Sequence, residues 1–293
     1  MNFDFNPNTK EFSFKNALVL AEASELAYKS QAEYEKILKE EWGFSDVYPL
    51  DKKETQGFIA KKADMILIAF RGTEETKNED IFTDILACQT KTELGKVHYG
   101  FLRALKAVWK DIVTAVKNYQ DNNQPVWIAG HSLGGALAAL AAAKLVSIDA
   151  CQNIGGVYTF GQPMIGDKDF KEKFEKLLPS GAYRVTNFKD PVTLVPLNIN
   201  LKIWGKRIIF QYDHAGKIIL FNESGKIAKS GDLITRWALI LVAVLGFFAA
   251  FIVKMLRKVK TPGEMLKWVK SLAKPHGLDQ YKENIIKNLG YEK

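Results

Sequence analysis

Residues 126–136 read VWIAGHSLGGA, and this stretch decides the fold. The apolar run from Val126 to Ala129 is typical of a buried strand, and the alanine-rich stretch from Leu137 to Leu145 is typical of a helix. Between them lies Gly130-His131-Ser132-Leu133-Gly134, a Gly-x-Ser-x-Gly pattern. In such a nucleophile elbow the glycines make room for a sharp strand-to-helix turn that exposes the serine. We therefore predict Ser132 as a nucleophile, in an elbow formed with Gly130, His131 and Gly134.

Strands and helices alternate along the rest of the chain. Residues 65–70 (MILIAF) are continuously apolar, which is typical of a strand that is covered on both faces. The other predicted elements are helices over 14–28, 101–119, 167–178 and 278–289, strands over 157–160 and 183–188, three short strands over 44–69, and a hairpin over 201–222 that turns at Ala215-Gly216. This alternation predicts one α/β domain over residues 1–293, with a mostly parallel central sheet between two layers of helices.

A serine nucleophile needs a general base and a carboxylate that orients the base. Asp190 follows the predicted strand 183–188 and precedes Pro191, which makes it the best-placed carboxylate. The chain has four histidines. His131 adjoins the serine within the elbow, so its side chain is expected to point elsewhere. The other three stay open as the base at this stage.

Five short motifs follow one another in chain order: IAFRGT at 68–73, VHYGF at 97–101, IAGHSLGG at 128–135, TFGQP at 159–163 and NFKDPV at 187–192. Together they resemble the class 3 (fungal-type) lipases of the α/β-hydrolase superfamily. The resemblance implies an α/β-hydrolase fold with Ser132 as nucleophile, Asp190 as acid and an oxyanion hole built from the backbone N–H groups of Thr73 and Leu133. Those donors make physical sense, because one ends a central strand beside the elbow and the other opens a helix whose dipole favours an anion.

The resemblance also bears on the choice of histidine. In the family the base precedes a short helix with a tyrosine close behind, and His276 with Tyr281 fits that pattern. His214 resembles a non-catalytic histidine of a hairpin, and His98 resembles a histidine with a packing role before a helix. We favour His276 as the base and keep His214 as the alternative.

The resemblance assigns the polar segment 74–96 to a lid over the site. Its apolar side chains are Ile81, Phe82, Ile85 and Leu86. A short amphipathic helix over 80–87 could open at an interface, so interfacial activation is compatible with the sequence.

About thirty residues more than the family usually has lie between Asp190 and His276, and they coincide with residues 231–260. This excess contains Trp237 to Val253, an uncharged run that would be about 25 Å long as a helix, against about 30 Å for the hydrocarbon core of a bilayer. A single crossing would put Ser132 and His276 on opposite sides of the membrane. We therefore expect an inserted apolar helical element that dips into the membrane beside the active site. The alternatives are a helix packed on the hydrolase core, or a true span with His214 as the base.

The net charge of +8 is concentrated around this insertion. Residues 226–274 hold ten Lys and Arg against two acidic residues, so we expect this membrane-interacting insertion to lie on an anionic lipid surface. The predicted contacts are Trp237, Phe247, Phe248, Phe251, Lys254, Arg257, Lys258 and Trp268. Nucleic acid is not an expected partner, because the basic residues alternate with an apolar run instead of lining a recognition helix or an aromatic sheet.

The two cysteines, Cys88 and Cys151, lack the spacing of metal ligands and are interpreted as free thiols. No metal and no organic cofactor is implied. The first residues show no basic and apolar signal pattern, so we expect no cleavable signal peptide. The expected location is peripheral on a membrane, on the cytoplasmic side or after export by a non-classical route.

These features predict a carboxylic ester hydrolase, a lipase or phospholipase, that acts on acyl lipids at a membrane surface through a Ser-His-Asp triad and an acyl-enzyme. One alternative is a phospholipase-type antibacterial toxin with a neutralising immunity partner. The other is a non-catalytic membrane-anchoring protein on a hydrolase scaffold.

Overall fold

The computed structural model describes residues 3–53, 55–73, 89–151, 153–179, 181–196, 198–203, 206–228 and 274–291. The strands in these ranges are β1 (Asp46–Lys52), β2 (Thr55–Lys62), β3 (Met65–Phe70), β4 (Gln89–Thr92), β5 (Gly95–His98), β6 (Val126–His131), β7 (Ile154–Phe160), β8 (Ala182–Asn187), β9 (Ile199–Ile203), β10 (Lys206–Phe210) and β11 (Lys217–Phe221). The α-helices are α1 (Phe14–Leu26), α2 (Gln31–Lys36), α3 (Tyr99–Tyr119), α4 (Leu133–Ser147), α5 (Lys168–Leu177) and α6 (Leu278–Asn288).

Seven of these strands form the main sheet, in the order β1-β2-β3-β6-β7-β8-β11. The pairs from β3 to β11 are parallel, whereas β1 and β2 are added antiparallel at one edge. The predicted mostly parallel sheet is confirmed. Because parallel strands end at the same edge of a sheet, the residues after β3, β6, β7 and β8 meet there.

The central strands are buried on both faces. In β3, Ile66, Ile68 and Phe70 belong to a core shared with α3 and α4, while Leu67 and Ala69 belong to a second core shared with α1 and α6. The sheet therefore lies between two layers of helices, as the continuously apolar sequence of β3 predicts.

Helix α6 is held in the second layer beside α1. Tyr281 and Ile285 are fully buried in that core, and Lys282 Nζ lies 2.6 Å from Glu25 Oε2 of α1. This packing places the turn before α6, which contains His276, against the sheet.

The predicted hairpin over 201–222 is wrong. Strand β9 pairs with β10, whereas β11 leaves that hairpin and joins the main sheet parallel to β8, with Ile218 opposite Arg184. The reason is burial, since Phe221 is fully buried beside Phe14 in the second core. Gly216 allows the entry into β11, because its φ of +99° is a conformation that favours glycine.

The described part of the predicted lid-like segment 74–96 consists of strands, not a loop. Residues 89–98 form the antiparallel hairpin β4–β5, and residues 74–88 lie outside the described ranges. The carboxylate of Asp167 holds the hairpin to α5, because its Oδ1 accepts from the N–H groups of Lys96 (3.1 Å) and Phe170 (3.0 Å). The predicted loop therefore ends in a fixed element of the fold.

The predicted membrane contacts Trp237, Phe247, Phe248, Phe251, Lys254, Arg257, Lys258 and Trp268 all lie in 229–273, outside the described residues. Of the helices that the structure describes, none combines the length and the hydropathy needed to cross a bilayer.

Replacing Asp167 with alanine should lower the free energy of unfolding by about 1–2 kcal/mol, because the N-terminus of α5 and the hairpin both lose an acceptor. Urea denaturation followed by circular dichroism measures the change. Asp169→Ala is the matched control, since Asp169 is an exposed carboxylate in the first turn of the same helix. Equal losses in the two variants would contradict this role of Asp167.

Candidate active site

Ser132 occupies the sharp turn between β6 and α4. Its backbone has a φ of 56° and a ψ of −124°, a combination that non-glycine residues rarely adopt and that clusters at functional sites. The N–H of Ser132 donates to the carbonyl of Phe160 at 2.9 Å, which ties the turn to the end of β7. A sharp strand-to-helix turn of this kind is what a nucleophile elbow requires, and the role of Ser132 stays a prediction.

The two elbow glycines are required by close packing. A Cβ atom at Gly130 would clash with the carbonyl of Gly134, and a Cβ at Gly134 would clash with the carbonyl of Phe70 in β3. Helix α4 can therefore begin directly against the sheet only because both positions lack side chains.

Asp190 lies just beyond the end of β8 and is fully buried. Its Oδ2 accepts from His276 Nδ1 at 2.9 Å and from the Tyr281 hydroxyl at 2.5 Å. Its Oδ1 accepts from the N–H of Val192 at 2.9 Å. The carboxylate is thus oriented by three donors, one of which is the predicted base.

His276 is held against Asp190 by the backbone around it. Asn187 Nδ2 donates to the carbonyl of Pro275 at 2.8 Å, and Asn284 Nδ2 of α6 donates to Asn187 Oδ1 at 2.9 Å. Gly161 provides the space for the ring, because a Cβ there would lie 2.7 Å from His276 Nδ1. The imidazole is therefore fixed from β7, β8 and α6.

The other ring nitrogen of His276, Nε2, is buried and has no hydrogen-bond partner within the described ranges. Since Nδ1 donates its proton to Asp190, Nε2 carries the lone pair. A neutral imidazole in this tautomer can accept a proton from a hydroxyl group.

The backbone after β3 runs beside the elbow. A Cβ at Gly72 would lie 3.1 Å from Ser132 Cβ and 2.6 Å from the carbonyl oxygen of His131. Thr73 follows Gly72 directly, and Leu133 is the first residue of α4. The structure thus brings the two predicted oxyanion residues to the elbow, and their role stays a prediction.

The other candidate histidines lie elsewhere. His98 caps α3, with Nδ1 accepting from the N–H of Phe101 at 3.2 Å, and its ring stacks on Phe101. His214 lies between β10 and β11, where its N–H donates to Asp213 Oδ1 at 2.7 Å. Of the two candidates for the base, His276 is the one that contacts Asp190.

Sequence reasoning missed the partners of His131 and the part played by Tyr28. The ring of His131 lies between the Tyr28 hydroxyl and the backbone carbonyl of His276, and its centroid is 4.6 Å from that of the His276 ring. Burial, and secondly the neighbouring His276, lower the pKa of His131 to about 3. The contact between Tyr28 and His131 was not predictable, because the two residues are 103 positions apart in sequence.

Cys151 is buried as a free thiol, and Cys88 lies outside the described ranges. In the described part of the chain, His, Cys, Asp and Glu side chains do not converge in groups of three that could hold a metal ion.

Comparisons with known proteins show which family and fold the chain is similar to. The family model described as Lipase (class 3) matches residues 67–200. A triacylglycerol lipase (OBL1) of Arabidopsis thaliana is 30% identical over 265 residues, which cover 72% of this chain and 50% of the relative. The chloroplastic phospholipase A1-Ialpha2 of the same plant is 28% identical over 116 residues, which cover 36% of this chain and 24% of the relative. The chain thus spans half or less of these relatives.

Solved structures show the same fold. Lipase II from Rhizopus niveus superimposes with a TM-score of 0.53 at 23% identity, covering 63% of this chain and 76% of that chain. This likeness and the family match confirm the predicted α/β-hydrolase fold and the resemblance read from the five motifs.

Acid should destabilise the protein partly through His131. Its pKa is about 3 in the folded state and near 6.5 when unfolded, so the unfolded chain binds the extra proton between these values. The stabilisation is complete above about pH 6.5 and is lost as the pH falls towards 3. Urea denaturation at pH 7 and pH 4.5 should therefore show a larger loss in the wild type than in His131→Gln. Equal losses in the two proteins would contradict the assignment, because the other titrating groups are common to both.

Proposed function

We propose that this chain, whose residues 67–200 match the class 3 lipase family model, is a serine ester hydrolase that cleaves acyl esters of lipids through a Ser132–His276–Asp190 triad. The observation that carries the proposal is the hydrogen bond of 2.9 Å between His276 Nδ1 and Asp190 Oδ2. These two residues are 86 positions apart in sequence and meet beside the elbow that bears Ser132.

The reaction begins with proton transfer from Ser132 to His276. As the serine Oγ attacks the ester carbonyl, Nε2 takes its proton, and Asp190 stabilises the resulting imidazolium. The tetrahedral intermediate collapses when the imidazolium gives that proton to the leaving alcohol, which leaves the acyl group on Ser132. Water then attacks the acyl-enzyme as His276 Nε2 takes its proton, and the imidazolium returns that proton to Ser132 Oγ as the bond to the acyl group breaks and the fatty acid is released.

The negative charge of the tetrahedral intermediate needs donors that are already oriented. We assign this role to the backbone N–H groups of Thr73 and Leu133. The position of Gly72 against Ser132, and of Leu133 at the N-terminus of α4, supports the assignment. The helix dipole adds to the stabilisation of an anion at that end.

The substrate class is inferred from the relatives, whose names specify a triacylglycerol lipase and a phospholipase A1. Both act on acyl esters of glycerol lipids. The concentration of cations between residues 226 and 274 favours substrates in an anionic membrane over those in neutral oil droplets.

We place the enzyme at the membrane surface, not across it. The hydrogen bond between Asp190 and His276 argues against a single bilayer crossing between these residues, because a crossing would separate them. Charged and aromatic residues of the insertion, including Lys254, Arg257 and Trp268, would contact lipid headgroups from one side.

Ser132→Ala and His276→Ala should each reduce hydrolysis of a soluble p-nitrophenyl acyl ester more than about a thousandfold, because each removes a group that reacts. His214→Ala is the matched control and should retain most of the activity. Thermal unfolding checks that the variants fold. Loss of activity in His214→Ala alone would overturn the triad, and liposome binding without any hydrolysis by the wild type would favour a membrane-anchoring scaffold.

Neutralising Lys254, Arg257 and Lys258 together with glutamine should weaken binding to anionic liposomes by about a hundredfold, since each cation near an anionic surface contributes about 1 kcal/mol. Hydrolysis of the soluble ester should stay near the wild-type rate. Glutamine at Lys106, Lys110 and Lys117, which are exposed on α3, is the control with the same change in charge. Equal loss of binding in the two triple variants would contradict a specific role for the insertion.

A further inference from the structure

A chain of hydrogen bonds runs behind the proposed triad. The N–H of Gly72 donates to the Tyr28 hydroxyl at 3.1 Å. The same hydroxyl lies 3.0 Å from His131 Nδ1, and His131 Nε2 lies 2.7 Å from the backbone carbonyl oxygen of His276. These hydrogen bonds thus connect the backbone next to Thr73 with the backbone of the proposed base, His276.

The direction of each hydrogen bond follows from chemistry. A backbone carbonyl can only accept, so His131 Nε2 must carry a proton and donate a hydrogen bond to the carbonyl oxygen of His276. His131 is neutral because its pKa is lowered to about 3, so Nδ1 has no proton and accepts from the Tyr28 hydroxyl. The Tyr28 oxygen in turn accepts from the N–H of Gly72 at 3.1 Å. A single tautomer of His131 satisfies all three contacts.

We propose that Tyr28 and His131 are positioning residues, which fix the backbone of His276 relative to the backbone of Gly72, next to the proposed oxyanion donor Thr73. This inference rests on the proposed function. Neither residue enters the reaction, since the Tyr28 hydroxyl and both ring nitrogens of His131 are engaged in these hydrogen bonds. They act through the residues that do react.

The backbone at His276 depends on this support from two directions. Asn187, at the end of β8, donates to the carbonyl of Pro275, and His131, at the end of β6, donates to the carbonyl of His276. Removing the second donor leaves the carbonyl of His276 buried without that partner and lets the turn shift. Displacements of about 1 Å in an active site can cost about a hundredfold in rate.

The neutral state of His131 also suits the reaction. Its ring centroid is 4.6 Å from that of His276, which becomes positively charged as it takes the serine proton. A second positive charge at that distance would oppose this step. The buried, neutral ring can donate a hydrogen bond to the base without repelling it.

Two substitutions at His131 separate the contacts. Glutamine places its amide nitrogen near the position of Nε2 and can keep the donor to His276, whereas asparagine is shorter and reaches only towards Tyr28. His131→Asn should reduce kcat on a soluble ester by about tenfold to a hundredfold with little change in KM. His131→Gln should recover kcat to within about threefold of the wild type.

Tyr28→Phe removes the hydroxyl that contacts Gly72 and His131, and it should reduce kcat by about tenfold. Tyr158→Phe is the matched control, because the Tyr158 hydroxyl also accepts from a backbone N–H, that of Ser13 at 3.0 Å, but lies in the aromatic layer under α1. It should leave kcat unchanged. Equal loss of kcat in Asn and Gln variants at position 131, or in both tyrosine variants, would overturn the proposal.

The histidine tautomers give a readout that does not need activity. Nitrogen-15 NMR of the full chain should show His131 protonated only at Nε2 between pH 5 and pH 8, and Tyr28→Phe should shift the Nδ1 resonance. A wild type without esterase activity but with this tautomer would refute the proposed function and leave the link intact. A proton on Nδ1 of His131 would overturn the link itself, whether or not the enzyme is active.

Discussion

The buried carboxylate of Asp190 is the constraint on which the rest of the site depends. An unpaired charge in a protein interior costs several kcal/mol, so a fully buried carboxylate requires donors on both oxygens. The donors are the N–H of Val192, the hydroxyl of Tyr281 and the ring of His276. Two of the three come from the last helix and the turn before it. The end of the chain must therefore return to the edge of the sheet where β8 ends.

The same edge concentrates three groups that crowd one another. Ser132 has a positive φ. Gly161 has no side chain and so leaves space for the imidazole of His276, and His131 is buried beside that imidazole. This close packing is possible because Gly130, Gly134 and Gly161 have no side chains. The strain at Ser132 is balanced by the packing of α4 on β3 and β6, in which Gly130 and Gly134 take part. Pre-organisation of the proposed catalytic groups is thus built from the packing of the sheet, not from flexible loops.

The long excursion of the chain between Asp190 and His276 does not disturb this arrangement. Residue 228 lies just beyond β11 at the edge of the main sheet, and residue 274 lies in the turn before α6. The segment between them can vary in length and composition as long as its ends return to these places. A basic and apolar insertion is therefore compatible with an intact site.

The sequence by itself determined the elements whose burial is set locally. The continuously apolar strands β3 and β6, the Gly-x-Ser-x-Gly turn and the alanine-rich α4 were all predictable, because steric and hydrophobic requirements act within a few residues. The sequence of β11 predicts one arm of a hairpin, whereas the strand pairs with β8 in the folded protein, where Phe221 is fully buried. The contacts of His131 with Tyr28 and His276 were likewise decided by tertiary structure, since they join residues more than a hundred positions apart. Such contacts depend on which strand ends meet at the edge of the sheet, and the order of the strands cannot be read from local sequence.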